Sequence, residues 1–393
     1  MEVAGAQAIV DVGVCVSKGR LVLRIVIGGV VFALVHWLLY WRFIRATGVR
    51  GPAKVVGAVV LGVLWLAIVV ALGAGSSYSQ EPIRPVVWLG LTWSAAMFYL
   101  LLGLLVIGLV LLIARIARFP HRTRLLQGMS AVLVVAAVGT VAYGVYEADN
   151  PRVVAVELRS PKLPAELDGI RVAVVADIHV GAARGAAFTQ RVVDLVNDQR
   201  PDLIVLPGDL IDGSVELVGP DIAPIAGLTS KYGTFAVAGN HEGYVDGVAD
   251  WMDYWETLGL RTLRNQRAEI EINGATLAIA GVYDYAASDP YGPDLDAAMA
   301  GHRSDRFIML LAHQPRQAPD SAAHGVDLQV SGHTHGGQIW PLTHVVGRVN
   351  GTVAGLDRVG DMRLYTTRGV GAWGPPVRVG APPDISILTL RRG

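Results

Sequence analysis

The stretch Ser331-Gly-His-Thr-His-Gly-Gly-Gln338 places two histidines one residue apart between glycines. In an extended or tightly turned backbone, residues i and i+2 point the same way, so His333 and His335 can reach one small volume. The glycines let the backbone come close to whatever lies there, and imidazole is the commonest metal-ligating side chain. Alone, the pair is compatible with a metal site or with two surface or hydrogen-bonded histidines.

Four short apolar runs upstream are each followed by Asp, Asn or His, as is the run at 328–330 that precedes this stretch. An Asp or Asn after a strand is ordinarily a turn former or a helix cap. Five successive run ends with Asp, Asn or His exceed what turn chemistry alone explains, and sites in layered α/β folds form beyond strand ends. The residues at these ends are Asp177, His179, Asp209, Asn240, His241, His313, His333 and His335.

The C-terminal region alternates short apolar runs with amphipathic helical patterns, which predicts a layered α/β fold. We predict strands at 153–158, 172–176, 203–206, 234–238, 277–280, 307–312, 328–330, 364–367 and 385–390. We predict helices at 188–197, 218–228 and 250–258.

The N-terminal region is far more apolar than a soluble protein requires. Hydrophobic residues make up 52% of the chain and the mean hydropathy is +0.44. Four apolar runs are each near or above the roughly 20 residues that cross a bilayer as a helix, and aromatic residues cluster at their ends. The runs are 21–41, 55–74, 86–113 and 129–146. We therefore expect a membrane domain with four transmembrane helices over 1–149 and a globular domain over 150–393.

The distribution of basic residues predicts the orientation in the membrane. The loops after the first and third runs are rich in arginine, and cytoplasmic loops carry the excess of Lys and Arg. Both termini and the globular domain then lie outside a plasma membrane that the chain crosses several times, although Lys18, Arg20 and Arg24 argue the other way. The basic residues of the two loops are Arg42, Arg45, Arg50 and Lys54, and Arg115, Arg118, Arg122 and Arg124.

Composition also excludes several functions. The formal net charge is zero, which gives no electrostatic case for a nucleic-acid partner. The only cysteine, Cys15, rules out an intrachain disulfide and a cysteine-based zinc site, and we interpret it as an inert thiol. His36 and Arg24 lie near run ends, where snorkelling is cheap, so the helices are interpreted as an anchor rather than a transporter. The sequence does not set the oligomeric state.

In order and spacing, the polar run ends resemble the signature of the calcineurin-like metallophosphoesterase superfamily. Its pattern D-x-H, G-D, G-N-H-[DE], H and G-H-x-H is complete here. The resemblance covers 153–393. Within the superfamily the chain resembles the bacterial membrane-tethered branch, which shares Gly336-Gly-Gln338 and a closing Arg378-Val-Gly-Ala-Pro-Pro-Asp-Ile385. It also resembles animal proteins that join several transmembrane helices to this domain.

The resemblance implies an αββα sandwich of two mixed sheets flanked by helices, with two metals at the strand ends. Nitrogen and oxygen ligands without thiolate favour Mn, Fe or Zn. Carried over by motif, one ion would be held by Asp177, His179, Asp209 and His335. The other would be held by Asp209, Asn240, His313 and His333, with Asp209 bridging.

The implied function is a metal-dependent phosphatase or phosphodiesterase. A metal-bridging hydroxide would attack phosphorus in line, and His241 would protonate the leaving oxygen or stabilise charge there. Residues 147–152 span at most about 20 Å, which favours a lipid-linked or envelope-associated phosphoester as substrate and membrane lipids as neighbours. The alternative is a catalytically silent metal-binding sensor or scaffold module at the membrane.

Two interpretations remain open for each of three further residues. Asp212 either supports a metal ligand from behind or is a turn residue. Arg368 and Arg378 either bind phosphate oxygens or are ordinary surface arginines.

Overall fold

The computed structural model describes residues 18–74, 80–244 and 247–393. These residues form two compact units. One comprises Ala148–Trp373 and Gly380–Gly393, and the other comprises the helices up to Glu147 together with Gly374–Val379. Cys15, for which the sequence predicts an inert thiol, lies outside the described residues.

Four long apolar helices make up most of the membrane unit. All four are long and apolar enough to cross a bilayer, which confirms four long apolar helices at the predicted positions in the described part of the chain. Their apolar side chains are largely exposed, as expected of helices that face lipid. The helices are α1 Lys18–Tyr40, α2 Pro52–Ala74, α3 Gln80–Ile116 and α4 Arg122–Asp149, and a π-helical turn at Trp41–Arg45 follows α1.

His36 links two of these helices. Its ring is buried, and its Nε2 accepts a hydrogen bond at 2.9 Å from the indole nitrogen of Trp93 on α3. The other ring nitrogen therefore carries the proton and donates to the carbonyl of Phe32 at 2.7 Å. His36 is thus a packing residue between α1 and α3, and it does not snorkel to the surface as the sequence suggested.

Fourteen strands in the described part of the other unit form two six-stranded mixed sheets and one strand pair. The first sheet has the order β1-β14-β2-β4-β6-β7, the second β12-β13-β11-β10-β9-β8, and β3 pairs with β5. The strands are β1 Arg152–Ser160, β2 Arg171–Val174, β3 Val180–Gly181, β4 Leu203–Pro207, β5 Ile211–Asp212, β6 Thr234–Val237, β7 Arg261–Thr262, β8 Gln266–Ile272, β9 Ala275–Gly281, β10 Ile308–Leu311, β11 Leu328–Ser331, β12 Gly355–Val359, β13 Met362–Thr366 and β14 Asp384–Arg392.

The described part of this unit also contains the helices α5 Ala186–Asp198, α6 Val215–Ile222, α7 Asn240–Tyr244, α8 Val248–Thr257, α9 Leu295–Met299, α10 Ala318–Ala323 and α11 Thr343–Asn350. Helices α5, α6 and α8 cover the outer face of the first sheet, and α9 and α10 cover that of the second. The predicted helix at 218–228 stops earlier, and a 3₁₀ segment at Ala223–Gly227 replaces its second half. Pro224 explains the change, because proline lacks the amide proton that a continuing helix needs.

Alternate residues of each central strand enter different apolar layers. Val172 and Val174 of β2 pack between the sheets, whereas Ala173 packs under the helices of the first sheet. In the second sheet, Met309 faces the layer between the sheets and Ile308 faces the opposite helices. Strands buried on both faces are typical of sheets covered by helices. The predicted αββα architecture is confirmed.

The topology brings the polar strand ends together. Neighbouring strands β2, β4 and β6 are parallel in the first sheet, and β10 and β11 are parallel in the second. Carboxyl ends of parallel strands share one edge of a sheet. The loops after these five strands carry every residue predicted as a metal ligand.

Candidate metal centre

Three of the predicted ligands form a first donor set. His179 Nε2 lies 3.0 Å from His335 Nε2, and His335 Nε2 lies 3.5 Å from Asp177 Oδ1. All three residues are buried, and their ligand atoms lie within 4.8 Å of one another. We call Asp177, His179 and His335 set A.

Four other residues form a second donor set beside it. His313 Nε2 lies 3.0 Å from Asp209 Oδ2. Asn240 Oδ1 lies 3.1 Å from His313 Nε2 and 3.0 Å from His333 Nδ1. We call Asp209, Asn240, His313 and His333 set B, which like set A contains only nitrogen and oxygen donors.

Asp209 of set B also faces set A. Its Oδ2 is 3.0 Å from His313 Nε2 in set B and 3.8 Å from His179 Nε2 in set A. One carboxylate oxygen therefore faces both groups of donor atoms. His333 and His335, neighbours in the sequence, fall into different sets.

Five of these residues have left-handed backbone conformations, which are uncommon for residues other than glycine. A non-glycine residue there costs on the order of 1–3 kcal/mol, and such strain persists mainly at functional sites. The described chain has ten non-glycine residues with positive φ. Half of them belong to sets A and B, namely Asp177 (56°), His179 (50°), Asp209 (56°), His333 (72°) and His335 (51°).

Glycines leave space for the two key carboxylates. A Cβ atom on Gly239 would overlap the Asp209 carboxylate, and one on Gly332 would overlap Asp177 Oδ2. Since backbone approaches both side chains directly, no larger residue fits at either position without a shift. These glycines are part of the G-N-H-E and G-H-T-H motifs.

The donor sets fit a cation. Asp177 Oδ2 is buried and has no hydrogen-bond partner among the described residues, which is costly unless a ligand satisfies it. Burial raises the pKa of Asp177 to about 6. Burial lowers the pKa of His333 to about 3, which keeps its ring in the neutral form that binds metals. A buried carboxylate oxygen without a partner, close to imidazole nitrogens and other oxygen donors, suits a divalent ion that takes nitrogen and oxygen ligands.

Asp212 lies behind the donor sets and joins two histidines. Its Oδ1 accepts from Nδ1 of His179 at 2.9 Å and from Nδ1 of His241 at 2.6 Å. Burial would raise the pKa of Asp212, but the charges and hydrogen bonds of the two rings outweigh it and lower the pKa well below its usual range. Asp212 therefore orients the ring of His179 within set A. The interpretation of Asp212 as a turn residue does not account for these two hydrogen bonds.

His241 borders the donor sets without belonging to either. Its backbone amide donates to Asp209 Oδ1 at 2.9 Å, and its ring lies edge-on to the ring of His179. Burial disfavours the charged ring, but the charges of Asp209 and Asp212 outweigh it and raise the pKa of His241 to about 9. The charged form of the ring is therefore favoured beside the two donor sets.

Glu242 fixes the two loops that carry Asp209 and Asn240, a role that the sequence did not reveal. Its buried carboxylate accepts from the amides of Gly239 at 2.7 Å, Leu210 at 2.8 Å and Asp209 at 3.0 Å. The position of Glu242 in the G-N-H-E motif is the sequence feature that could have indicated this role.

Arg368 and Arg378, which the sequence left as phosphate-binding or surface residues, have different environments. Arg368 is partly exposed and lies 3.2 Å from Asp384 Oδ2. Arg378 is fully buried and its amide donates to the Gly144 carbonyl within the membrane unit, so it is not a surface residue. Sequence reasoning passed over Arg184, a buried side chain that donates to the carbonyls of Ala148 at 3.1 Å and Ala372 at 3.3 Å.

Comparison with known proteins agrees with this geometry. The calcineurin-like phosphoesterase family matches residues 170–337, the range that contains every residue of sets A and B. A transmembrane protein with metallophosphoesterase domain from Danio rerio is 33% identical over 270 residues, which cover 66% of this chain and 62% of the relative. A protein of the same description from Bos taurus is 34% identical, over 62% of this chain and 58% of the relative.

A bacterial relative matches over a larger share of its length. An uncharacterized metallophosphoesterase of Helicobacter pylori is 33% identical over 284 residues, which cover 71% of this chain and 75% of the relative. This chain thus spans less than two thirds of the two animal relatives but three quarters of the bacterial one. With four apolar helices and transmembrane relatives, the protein is a membrane protein. The chain belongs to the calcineurin-like metallophosphoesterases.

Proposed function

We propose that this protein hydrolyses a phosphoester with two divalent ions, of Mn, Fe or Zn, held at sets A and B. The observation that supports this most strongly is the position of Asp209, whose Oδ2 faces His313 at 3.0 Å and His179 at 3.8 Å. A single oxygen shared by two donor sets is the arrangement that a bridging carboxylate requires. Ions bound there would polarise the phosphoryl oxygens and lower the pKa of bound water.

Set A would hold one ion through Asp177, His179 and His335. Set B would hold the other through Asn240, His313 and His333, with Asp209 shared between them. The backbone amide of His333 donates to Asp177 Oδ1 at 2.9 Å, so a residue of set B also orients a carboxylate of set A. Both sets are fixed by backbone contacts before any ligand arrives, which favours a preorganised site.

His241 would supply the proton. Its Nδ1 is committed to Asp212 at 2.6 Å, which leaves the Nε2 proton of the charged ring for the leaving oxygen of the ester. The hydrogen bond from Asp212 fixes the orientation of the ring, so the proton is delivered from one direction. His241 is partly accessible, with 14% of its side chain exposed, so a substrate can reach it.

For the substrate, we propose a phosphoester that is lipid-linked or associated with the cell envelope. Only Asn150 and Pro151 separate the end of α4 from the start of β1, which keeps the catalytic unit within a short distance of the bilayer. The arginine-rich loops support a multi-pass plasma-membrane protein with its catalytic unit outside the cytoplasm.

The test uses purified full-length protein in lipid nanodiscs, with metal analysis and a substrate panel of aryl phosphomonoesters, aryl phosphodiesters and lipid-linked phosphates. We expect hydrolysis that a chelator abolishes and Mn, Fe or Zn restores, with lipid-linked esters turned over fastest. Bound metal without hydrolysis of any member of the panel would support the silent sensor instead. Hydrolysis of aryl esters alone would refute the lipid-linked substrate and retain the phosphoesterase.

A further inference from the structure

Exposed apolar side chains in the catalytic unit concentrate at one place. Eight large hydrophobic side chains are exposed among its described residues, and five of them lie in two neighbouring segments. Single exposed hydrophobics need no explanation, but a contiguous group marks an interaction surface. The five, which we call the apolar rim, are Trp340 (55% exposed), Leu342 (40%), Val345 (57%), Val349 (54%) and Trp373 (53%).

Part of the apolar rim is one face of a helix. Leu342 directly precedes α11, and Leu342, Val345 and Val349 follow the spacing i, i+3, i+7, which places them on one side of a helical turn. The exposed residues His344 and Arg348, four apart, lie on another side of α11. Segments that lie in a membrane interface combine an apolar face with a polar one, as α11 does.

The apolar rim borders the metal centre. The Gln338 side chain donates to the Trp373 carbonyl at 2.8 Å and accepts from the Trp373 amide at 2.9 Å. Gln338 closes the stretch that carries His333 and His335, and the ring of Trp373 lies 6.4 Å from that of His241. A surface that contacts the rim would therefore lie next to the opening of the site.

The apolar rim is connected to the end of α4. Arg184 donates to the carbonyls of Ala148 and Ala372, which joins the last turn of α4 to the residue before Trp373. Helix α4 has 28 residues, or about 42 Å at 1.5 Å per residue, whereas the hydrocarbon core is about 30 Å thick. Glu147 and Asp149 are charged residues at this end of α4, which favours a position of the last turn outside the hydrocarbon core.

We propose that the apolar rim docks into the interfacial layer of the bilayer that α4 crosses. Trp340 and Trp373 would lie at the headgroup level, where tryptophan is enriched, and Val345 and Val349 would lie below them. The metal centre would then open toward lipid headgroups. This last consequence rests on the proposed function, whereas the docking itself does not.

The test is site-directed spin labelling of full-length protein in nanodiscs of phosphatidylethanolamine and phosphatidylglycerol. Cys15 is replaced first by Cys15→Ser, because it is the only cysteine of the chain. Labels are then placed by Val345→Cys and Val349→Cys, with His344→Cys and Arg348→Cys as matched controls on the other side of α11. Each label is tested for collision with apolar oxygen and with a water-soluble nickel chelate, and circular dichroism checks that each variant is folded.

We expect a severalfold higher ratio of oxygen to nickel collisions at Val345 and Val349 than at the two controls. Equal, water-like ratios at all four positions would overturn the docking, even if the protein hydrolyses phosphoesters. Protection from both reagents with spin–spin broadening between copies would also overturn it, because the rim would then be covered by a second copy of the chain. Absence of hydrolysis with lipid-like ratios would instead refute the proposed function alone.

Discussion

Asp212 and His241 are joined by a 2.6 Å hydrogen bond between Oδ1 of the carboxylate and Nδ1 of the ring. The same oxygen also accepts from Nδ1 of His179, so one carboxylate orients a ligand of set A and the proposed proton donor. Removal of its charge should therefore affect metal binding and proton transfer together.

Asp212→Asn is expected to lower turnover of an aryl phosphodiester by about 10- to 100-fold, as loss of a carboxylate behind a metal ligand usually does. Metal titration should show weaker binding in the same variant, because His179 loses its orienting partner. Asp194→Asn, on the exposed side of α5, is the matched control. Wild-type metal affinity with wild-type turnover would show that Asp212 is an ordinary turn residue.

His241→Ala should separate chemistry from metal binding. We expect turnover to fall by about 10²- to 10⁴-fold, the usual contribution of a positioned acid or base. The metal content should not change, since His241 belongs to neither donor set. His324→Ala changes an exposed histidine on the helical side of the second sheet and should leave both quantities unaltered. Loss of metal in His241→Ala would make this residue a ligand and contradict its assignment.

Glu242→Gln should destabilise the protein by weakening the hydrogen bonds that hold the loops after β4 and β6. Three amides donate to the buried carboxylate, and glutamine would turn an amide group toward donors that need an acceptor. The cost is about 1–3 kcal/mol for buried groups left without a partner, so Tm in detergent should fall. Glu166→Gln, at an exposed position, provides the comparison. An unchanged Tm would mean that the loops hold their shape without Glu242.

A reporter at the C-terminus tests the membrane orientation. The arginine-rich loops predict that the catalytic unit lies outside the cytoplasm, so an alkaline phosphatase fusion in a strain without its own enzyme should be active. A green fluorescent protein fusion at the same position, which folds in the cytoplasm, should be dark. The reverse pair of results would place the catalytic unit inside the cell.

Much of the fold follows from apolar runs, and the two longest strands that were missed share one property. Strands β8 and β12 were not predicted, because Gln266–Ile272 and Gly355–Val359 contain few apolar residues. Both are edge strands of the second sheet and expose much of their surface. Edge strands bury one face at most, so they lack the continuous apolar pattern that identifies β4 or β10.

Residues of the candidate centre could be predicted where they occur in short motifs, and could not where they depend on distant contacts. The order of D-x-H, G-D, G-N-H-E, the single His313 and G-H-T-H identified the members of sets A and B. Arg184 hydrogen-bonds to Ala148 and Ala372, which are 224 positions apart in the chain. A contact between such distant residues cannot be predicted from a local sequence pattern. The apolar rim had a signal, the i, i+3, i+7 spacing of Leu342, Val345 and Val349, but its meaning depends on Trp373.

The central claim is that Asp209 joins two metal sites in one catalytic centre. The most direct test is the metal-to-protein ratio of purified full-length protein, measured beside turnover for the wild type and for Asp209→Asn. We predict two ions per chain and chelator-sensitive hydrolysis in the wild type, with loss of both metal and activity in the variant. A wild-type ratio of one or none, or an Asp209→Asn variant that keeps two ions and full turnover, would contradict the account.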